Sequence, residues 1–316
     1  MDLKVGFVGL GNIGSKLSRS LLRNGVDLSV HDIDAAVVQR FVNRGARRGG
    51  SPAAMMREND VVITCLPSPA ASDVVVQEML SEVTAGKTWM EMSTTDEAEV
   101  RRLGSEVAKR GGSAVECPVS GGCHRADTGN ISIFAGCDRT SFERVLPLLT
   151  LMGRRVLHTG ELGTASILKV MTNYLATANL LTLGEAMVTM KAAGLDMATT
   201  YEAIKISSGT SFTHETESQL ILSGSRDVNF TMDLVLKDIG LFQAIAERNG
   251  VPLELSPEVI RIMQDGQQRY GERAQSDRII ERLEEATGHK VLADGFPTEL
   301  IDEEPEEPGY EVLVKR

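Results

Sequence analysis

The sequence of 316 residues is poor in cysteine, in aromatic residues and in positive charge, and no long apolar run crosses it. Its four cysteines, Cys65, Cys117, Cys123 and Cys137, are too few to scaffold a chain of this length and read as free thiols of a reducing compartment. No Cys-x-x-Cys pair occurs among them, and no bound metal is expected. Lysine and arginine number 33 against 44 aspartates and glutamates, a net charge of −11. A protein built to hold a nucleic-acid backbone needs a basic face, so no nucleic-acid partner is expected. A small acidic substrate in a local positive pocket stays compatible with that charge. No stretch supplies the ~18–20 uninterrupted apolar residues of a spanning helix, so no membrane partner is expected. The N-terminus, MDLKVGFVGLG, runs straight into a strand and lacks the pattern of a signal peptide. The expectation is a soluble, cytoplasmic protein. With 42% apolar and 24% charged residues it has globular composition, and it is long enough for two domains with a core each.

What is present begins with a dinucleotide-binding pattern. An apolar strand, LKVGFVG, leads into GLGNIG, then into the helical pattern SKLSRSLLRNG, then into a second strand, DLSVHD, ending at Asp32. In this Gly-x-Gly-x-x-Gly, Gly9 permits a tight turn. Gly11 lets the backbone approach a pyrophosphate at the helix N-terminus, beside Asn12 and Ile13. Gly14 lets helix and strand pack closely. Asp32 is placed to accept from ribose hydroxyls and to repel a 2′-phosphate, which favours NAD over NADP. Further strands are expected at 60–67, 88–94 and 113–118. Leu66-Pro67 and Ser93-Thr94 sit at the C-terminal ends of two of them, where open α/β sheets bind ligands.

Beyond Lys169 the strand pattern stops. A helix spans Ile167 to Ala193, rich in Leu, Met, Ala and Val, yet it carries Lys169 and Asn173 four residues apart on one face. A surface lysine is the ordinary reading of such a residue; a proton-transfer pair lining a cleft is the other. Helical patterns follow at about 196–206, 214–222, 231–249, 255–270 and 276–287.

Four motifs then occur in order: PVSGG (118–122), TGNISIFAG (128–136), GELGTASILKVMTN (160–173) and the Lys237-Asp238 pair. Their order and spacing resemble the β-hydroxyacid dehydrogenase family of the 3-hydroxyisobutyrate dehydrogenase type, over residues 3 to about 288. The resemblance implies an α/β Rossmann domain followed by an all-α domain, joined by a long interdomain helix. It implies an NAD-binding domain over 1–162, a helical substrate and oligomerisation domain over 163–288, and interconversion of a β-hydroxy acid with its semialdehyde. It implies Lys169 as the catalytic acid/base with Asn173 as partner, and Ser120, Gly121 and Gly122 as the loop for the substrate carboxylate. Lys237 then faces nicotinamide and substrate, Thr94 contacts the cofactor, SSGTSF (207–212) closes over the site, and the assembly is a homodimer or homotetramer. The chemistry agrees. Hydride leaves the carbinol carbon, the hydroxyl must lose a proton, and a lysine serves as base only when burial or a like charge such as Lys237 lowers its pKa from ~10.4.

The sequence departs from the family where a glycine usually follows the SGG loop: here stands Arg125. A guanidinium there suits a second acidic group on the substrate, or it pairs with Asp127 or solvent. His124 reads as structural. Residues 289–316 form an acidic, proline-broken C-terminal extension. Its acidic part reads as linker or disorder, and its YEVLV is a short strand that covers its own subunit or adds to a neighbour. Two rival readings stand beside the dehydrogenase: a catalytically silent NAD-binding regulator, which would need no proton donor, and an imine reductase-like relative, a group that usually lacks this lysine.

Overall fold

The structure, a computed structural model, describes residues 3–315. The chain divides into two compact units, one comprising residues up to Lys169 together with the segment from Asp302, the other Val170–Ile301. The division falls inside the long helix, later than the boundary at 162 expected from sequence, and it assigns the end of the chain to the first unit.

In the first unit, six parallel strands lie in the order β3 (Arg47–Arg48), β2 (Asp27–His31), β1 (Lys4–Val8), β4 (Val61–Thr64), β5 (Thr88–Glu91) and β6 (Ser113–Glu116). The order of connection reverses between β1 and β4, so the crevice outside the C-terminal ends of these two strands is the expected ligand site of such a sheet. β4 is VVIT and wholly buried, and β1 is buried beyond Lys4. Continuous apolar runs are what a sheet covered on both faces requires. Four of the helices between the strands begin on side-chain caps: Asp34, Ser51, Ser68 and Asp96 each accept a first-turn backbone N–H, and Pro52 and Pro69 follow the two serines.

After β6 the sheet changes character. β7 (Val119–Ser120) and β6 both pair antiparallel with β8 (Ser132–Gly136), β9 (Arg155–Gly160) runs parallel to β8, and β10 (Tyr310–Glu311) adds parallel to β9. So the terminal strand covers its own chain. The acidic segment before it is not a loose linker: Arg23, Arg125, Arg154 and Arg155 pair with Glu306, Glu304, Glu307 and Glu304.

The long helix is Thr164–Ala192, starting three residues earlier than expected. The second unit continues with helices Met197–Lys205, Phe212–Ser223, Met232–Arg248 and Leu255–Tyr270, a 3-10 turn Ser276–Ile280 and a helix Glu281–Thr287. Its core gathers Leu180, Met187, Tyr201, Ile221, Met232, Ile239, Met263 and Ile280. Methionine packs this core where aromatic residues are scarce. No helix among the described residues is long and apolar enough to cross a membrane.

Candidate active site

The glycine loop sits at the sheet's switch point. Gly9 has φ +95°, and a Cβ there would stand 2.3 Å from the Cys65 carbonyl oxygen at the end of β4. The first glycine thus serves both a left-handed turn and the close passage of two strand ends. A Cβ on Gly14 would meet the Gly9 oxygen at 2.1 Å and the Phe7 ring at 3.3 Å, so the third glycine brings the helix Asn12–Arg23 onto β1. Gly11 differs: a Cβ there would meet nothing within 4 Å. The chain itself does not require that glycine, and the open space fits a pyrophosphate brought close to the backbone. Gly11 is the N-cap of the helix and offers its first-turn N–H groups no side-chain acceptor, and that turn holds no acid. Exposed Asn12 and half-buried Ile13 begin it. These are the conditions under which a helix N-terminus accepts an anion.

Asp32 ties the loop down. One of its oxygens accepts from Leu10 N–H at 2.6 Å and the other from Asp34 N–H at 2.8 Å. A carboxylate so held keeps lone pairs for further donors such as ribose hydroxyls. The two neighbouring strand ends are tied to each other as well: Leu66 N–H donates to Ser93 Oγ at 2.7 Å, and Ser93 N–H donates to Glu91 Oε1 at 2.8 Å. Glu91 is buried, and burial pushes its carboxyl above the usual range against the pull of Ser93, Ser72 and Thr64. This frame sets half-buried Leu66 against Gly9, with exposed Pro67 and half-buried Thr94 next in chain to its members.

Lys169 lies in the second turn of the long helix and is 7% exposed, so the surface-lysine reading does not describe it. What fixes the turn before it is Glu116, the last residue of β6 and fully buried. One Glu116 oxygen accepts from the N–H groups of Gly163 and Ala165; the other accepts from Ser166 N–H and Ser166 Oγ. Thr164 N–H turns to the Glu161 carbonyl and Ile167 N–H to that of Gly163, so the helix's first donors are satisfied within this unit. Burial pushes the Glu116 carboxyl up, while its four donors pull the other way. Two residues past Glu116 starts the Pro118–Gly122 loop. The loop and the turn before Lys169 therefore share one anchor.

Ser120 pairs with Ser132 across β7 and β8. Gly121 and Gly122 have φ +129° and +86°, so a side chain is strained at either. The helix Gly122–Thr128 follows them. Asp127 pairs with Arg19 at 2.6 Å, and Arg125 lies on the same helix. Its guanidinium meets Glu304 at 3.0 Å, and its stem lies against Gly121, with Cδ 3.3 Å from where a Cβ would stand. Burial and the charge of Arg125 hold the His124 imidazole below its usual pKa.

In the second unit, Asn173 Nδ2 donates to Asp238 Oδ2 at 2.5 Å, and Lys237 Nζ meets Asp238 Oδ1 at 2.8 Å. Asp238 is 1% exposed. Tyr174 stacks on Phe242 with ring centroids 4.5 Å apart, which holds the long helix in register with the helix Met232–Arg248. One buried carboxylate thus joins Asn173 to Lys237. The SSGTSF stretch joins two helices and is mostly exposed, with Ser211 capping the second. Phe230 packs against the helical core.

Glu116, Glu91 and Glu304 in the first unit, and Asp238 in the second, each organise their own surroundings and were passed over by sequence reasoning. Asp238 stood in a motif already noted, and Glu116 was the one acid in an otherwise apolar strand. Among the described residues no cluster of three or more His, Cys, Asp or Glu side chains is placed to hold a metal.

Comparison with known proteins bears on the family and the fold. A family profile described as the NAD binding domain of 6-phosphogluconate dehydrogenase matches residues 4–160, and one described as the NAD-binding domain of NADP-dependent 3-hydroxyisobutyrate dehydrogenase matches 163–283. The chain is 30% identical to 2-(hydroxymethyl)glutarate dehydrogenase of Eubacterium barkeri, over 92% of this chain and 98% of that one. It is 30% identical to mouse mitochondrial 3-hydroxyisobutyrate dehydrogenase over 82% of this chain and 81% of that one. The solved 3-hydroxyisobutyrate dehydrogenase of Mycobacterium tuberculosis with L-serine superposes with a TM-score of 0.81 at 22% identity, covering 90% of this chain and 99% of that one. An imine reductase from Myxococcus stipitatus with NADP+ shares the fold at a TM-score of 0.61 and 16% identity, over 88% of this chain and 99% of that one. The chain belongs to the 3-hydroxyisobutyrate dehydrogenase family and is an NAD(P)-dependent hydroxyacid dehydrogenase.

Proposed function

We propose that the protein interconverts a small β-hydroxy acid of the 3-hydroxyisobutyrate kind with its semialdehyde, using NAD, with Lys169 as the acid/base. The observation that carries this reading is the burial of Lys169 one turn beyond a helix start that Glu116 clamps to the root of the Ser120–Gly122 loop. A lysine held away from water on a fixed turn is suited to proton transfer, and a surface lysine is not.

The nicotinamide, when bound, supplies the hydride acceptor in oxidation and the donor in reduction. The protein's share is the rest. Gly9, Gly11, Asn12, Ile13 and Gly14 hold the pyrophosphate, and Leu66, Pro67 and Thr94 border the nicotinamide half. Asp32 takes the ribose hydroxyls and, as a carboxylate, disfavours a 2′-phosphate; this supports NAD over NADP. Ser120, Gly121 and Gly122 offer backbone N–H groups and a hydroxyl to the substrate carboxylate, and Arg125 lies beside them with its stem against Gly121. Lys169 takes the hydroxyl proton in oxidation and returns it to the carbonyl oxygen in reduction. Asn173, four residues on along the same helix, orients the reacting oxygen. Its bond to Asp238 fixes the amide, and the same carboxylate holds Lys237. The presence of Lys169 favours carbonyl chemistry over imine reduction. The expected assembly is a homodimer or homotetramer.

The test is NADH and NADPH formation with 3-hydroxyisobutyrate, 3-hydroxypropionate, glycerate, serine, threonate and a sulfonate analogue, and cofactor oxidation with the matching semialdehydes. Turnover of one acid with NAD at least tenfold above NADP is expected. Cofactor binding without turnover in either direction would return the protein to the regulator reading.

A further inference from the structure

The extension from Asp302 onward is bound to the helix that follows the carboxylate loop. Asp302 Oδ2 accepts from Thr128 Oγ1 and, at 2.7 Å, from Asn130 Nδ2, which also donates to the Glu304 carbonyl at 2.9 Å. Glu304 spreads its two oxygens over two guanidiniums, Arg125 at 3.0 Å and Arg155 at 3.2 Å. Downstream, Glu307 meets Arg154, and Tyr310 and Val312 donate to the carbonyls of Arg154 and Val156 along β9. A Cβ on Gly309 would stand 2.0 Å from the Gly153 oxygen, so the strap passes as bare backbone where it joins the sheet. Burial opposes ionisation of Asp302, but the Thr128 and Asn130 donors and the charge of Arg125 hold its carboxyl below the usual range.

We propose that Glu304 is a specificity-determining residue: it supplies Arg125 with a carboxylate from the chain itself, so that Arg125 does not serve a second carboxylate on the substrate. The reasoning rests on the reading of Ser120–Gly122 as the substrate carboxylate loop. The Arg125 stem lies on that loop, against Gly121. Carboxylate is the partner a guanidinium takes most readily, through paired N–H donors. A monoacid needs only the loop. A diacid bound there would bring its second carboxylate toward Arg125 and meet the negative charge of Glu304. The strap thereby selects β-hydroxy monoacids over β-hydroxy diacids such as 2-(hydroxymethyl)glutarate.

The experiment compares kcat/KM for 3-hydroxyisobutyrate and 2-(hydroxymethyl)glutarate in the full-length protein and in Glu304→Gln, Glu307→Gln and Glu304→Gln/Arg125→Leu. Binding of isobutyrate and glutarate to the NAD-loaded proteins is followed by calorimetry in parallel. Glu304→Gln keeps an acceptor for the arginines and removes the charge. It is expected to raise the diacid-to-monoacid ratio about tenfold, mainly through the diacid KM, and to tighten glutarate over isobutyrate to match. The Arg125→Leu addition should cancel the gain. Glu307→Gln, on the same strap but against Arg154, should leave the ratio unchanged; a strap acting only as a brace would move both acids together in both variants. A monoacid that is bound or turned over, with no gain for the diacid in Glu304→Gln, overturns this inference and leaves the carboxylate loop standing. Failure of every protein to bind either acid removes the loop reading and this inference with it.

Discussion

Replacing Glu116 by glutamine tests how the active-site helix is held. The buried carboxylate accepts two donors on each oxygen, three of them backbone N–H groups. Glutamine has nearly the same shape but only one acceptor oxygen. Its least costly placement turns the amide NH2 toward Ser166, whose hydroxyl can rotate to accept, and keeps the oxygen on Gly163 and Ala165. Ser166 N–H then has no acceptor. A lost bond to a charged acceptor is worth about 1.5–3 kcal/mol, and a buried orphan N–H costs about 1–3 kcal/mol. Relief of the buried charge, which already pushes the Glu116 carboxyl upward, offsets part of this. The net expectation is a loss of about 2 kcal/mol. Glu116→Leu strands all four donors and should cost more than ~4 kcal/mol. Urea unfolding gives the stability, and steady-state kinetics give the function. Because Ser166 sits one turn before Lys169, kcat should fall severalfold or more in Glu116→Gln while the Kd for NAD stays within about twofold. A variant within 0.5 kcal/mol of the parent, or one that loses stability with kcat intact, would refute the clamp.

Two further expectations concern other parts of the molecule. Gly11→Ala places a methyl group in open space at an ordinary φ, so its Tm should match the parent while NAD binding weakens at least tenfold; Gly14→Ala drives a methyl group into the Gly9 carbonyl and should lose both. In the helical unit, burial pushes the Glu217 carboxyl up to about 8, with the charge of Asp277 adding to it, and burial pushes Asp277 up to about 7 despite Arg226. Folded-state values raised above the ordinary ~4 mean that the folded protein keeps protons the unfolded chain releases. Stability from this pair is therefore fullest near pH 4 and is lost as pH rises toward 7–8. Asp277→Asn and Glu217→Gln should flatten that decline in denaturation curves taken between pH 5 and 8. An unchanged slope would show that the pair ionises freely.

Much of this architecture was legible in the sequence because the signals are local. The strands through Glu116 are short apolar runs between helical patterns, and the long helix announces itself by a long, mostly apolar stretch. The glycine spacing is itself a local pattern, although Gly9 also answers to Cys65 at the end of a distant strand. What escaped is non-local. Glu116 caps a helix that starts about fifty residues later, and within SAVECP nothing says which donors it meets. Asp238 receives Asn173 from 65 residues away. The strap reads as linker because its own composition is acidic and proline-broken. Its partners Arg23, Arg125, Arg154 and Arg155 are scattered through the chain, so the complementarity appears only once β8 and β9 are in place. Arg125 shows both sides: its departure from the family pattern was visible, its counter-ion was not.

The central claim is that Lys169 moves the proton. The most direct measurement is single-turnover NADH formation across pH by the parent and by Lys169→Ala and Lys169→Arg, with NAD and substrate binding measured on the same samples. The account predicts that both variants bind NAD as the parent does and lose turnover by at least a thousandfold. It also predicts that the limb of the pH–rate profile reporting the base disappears in Lys169→Ala, and that added small amines restore part of the rate. Turnover within tenfold of the parent in Lys169→Ala, with the pH limb still present, would contradict it.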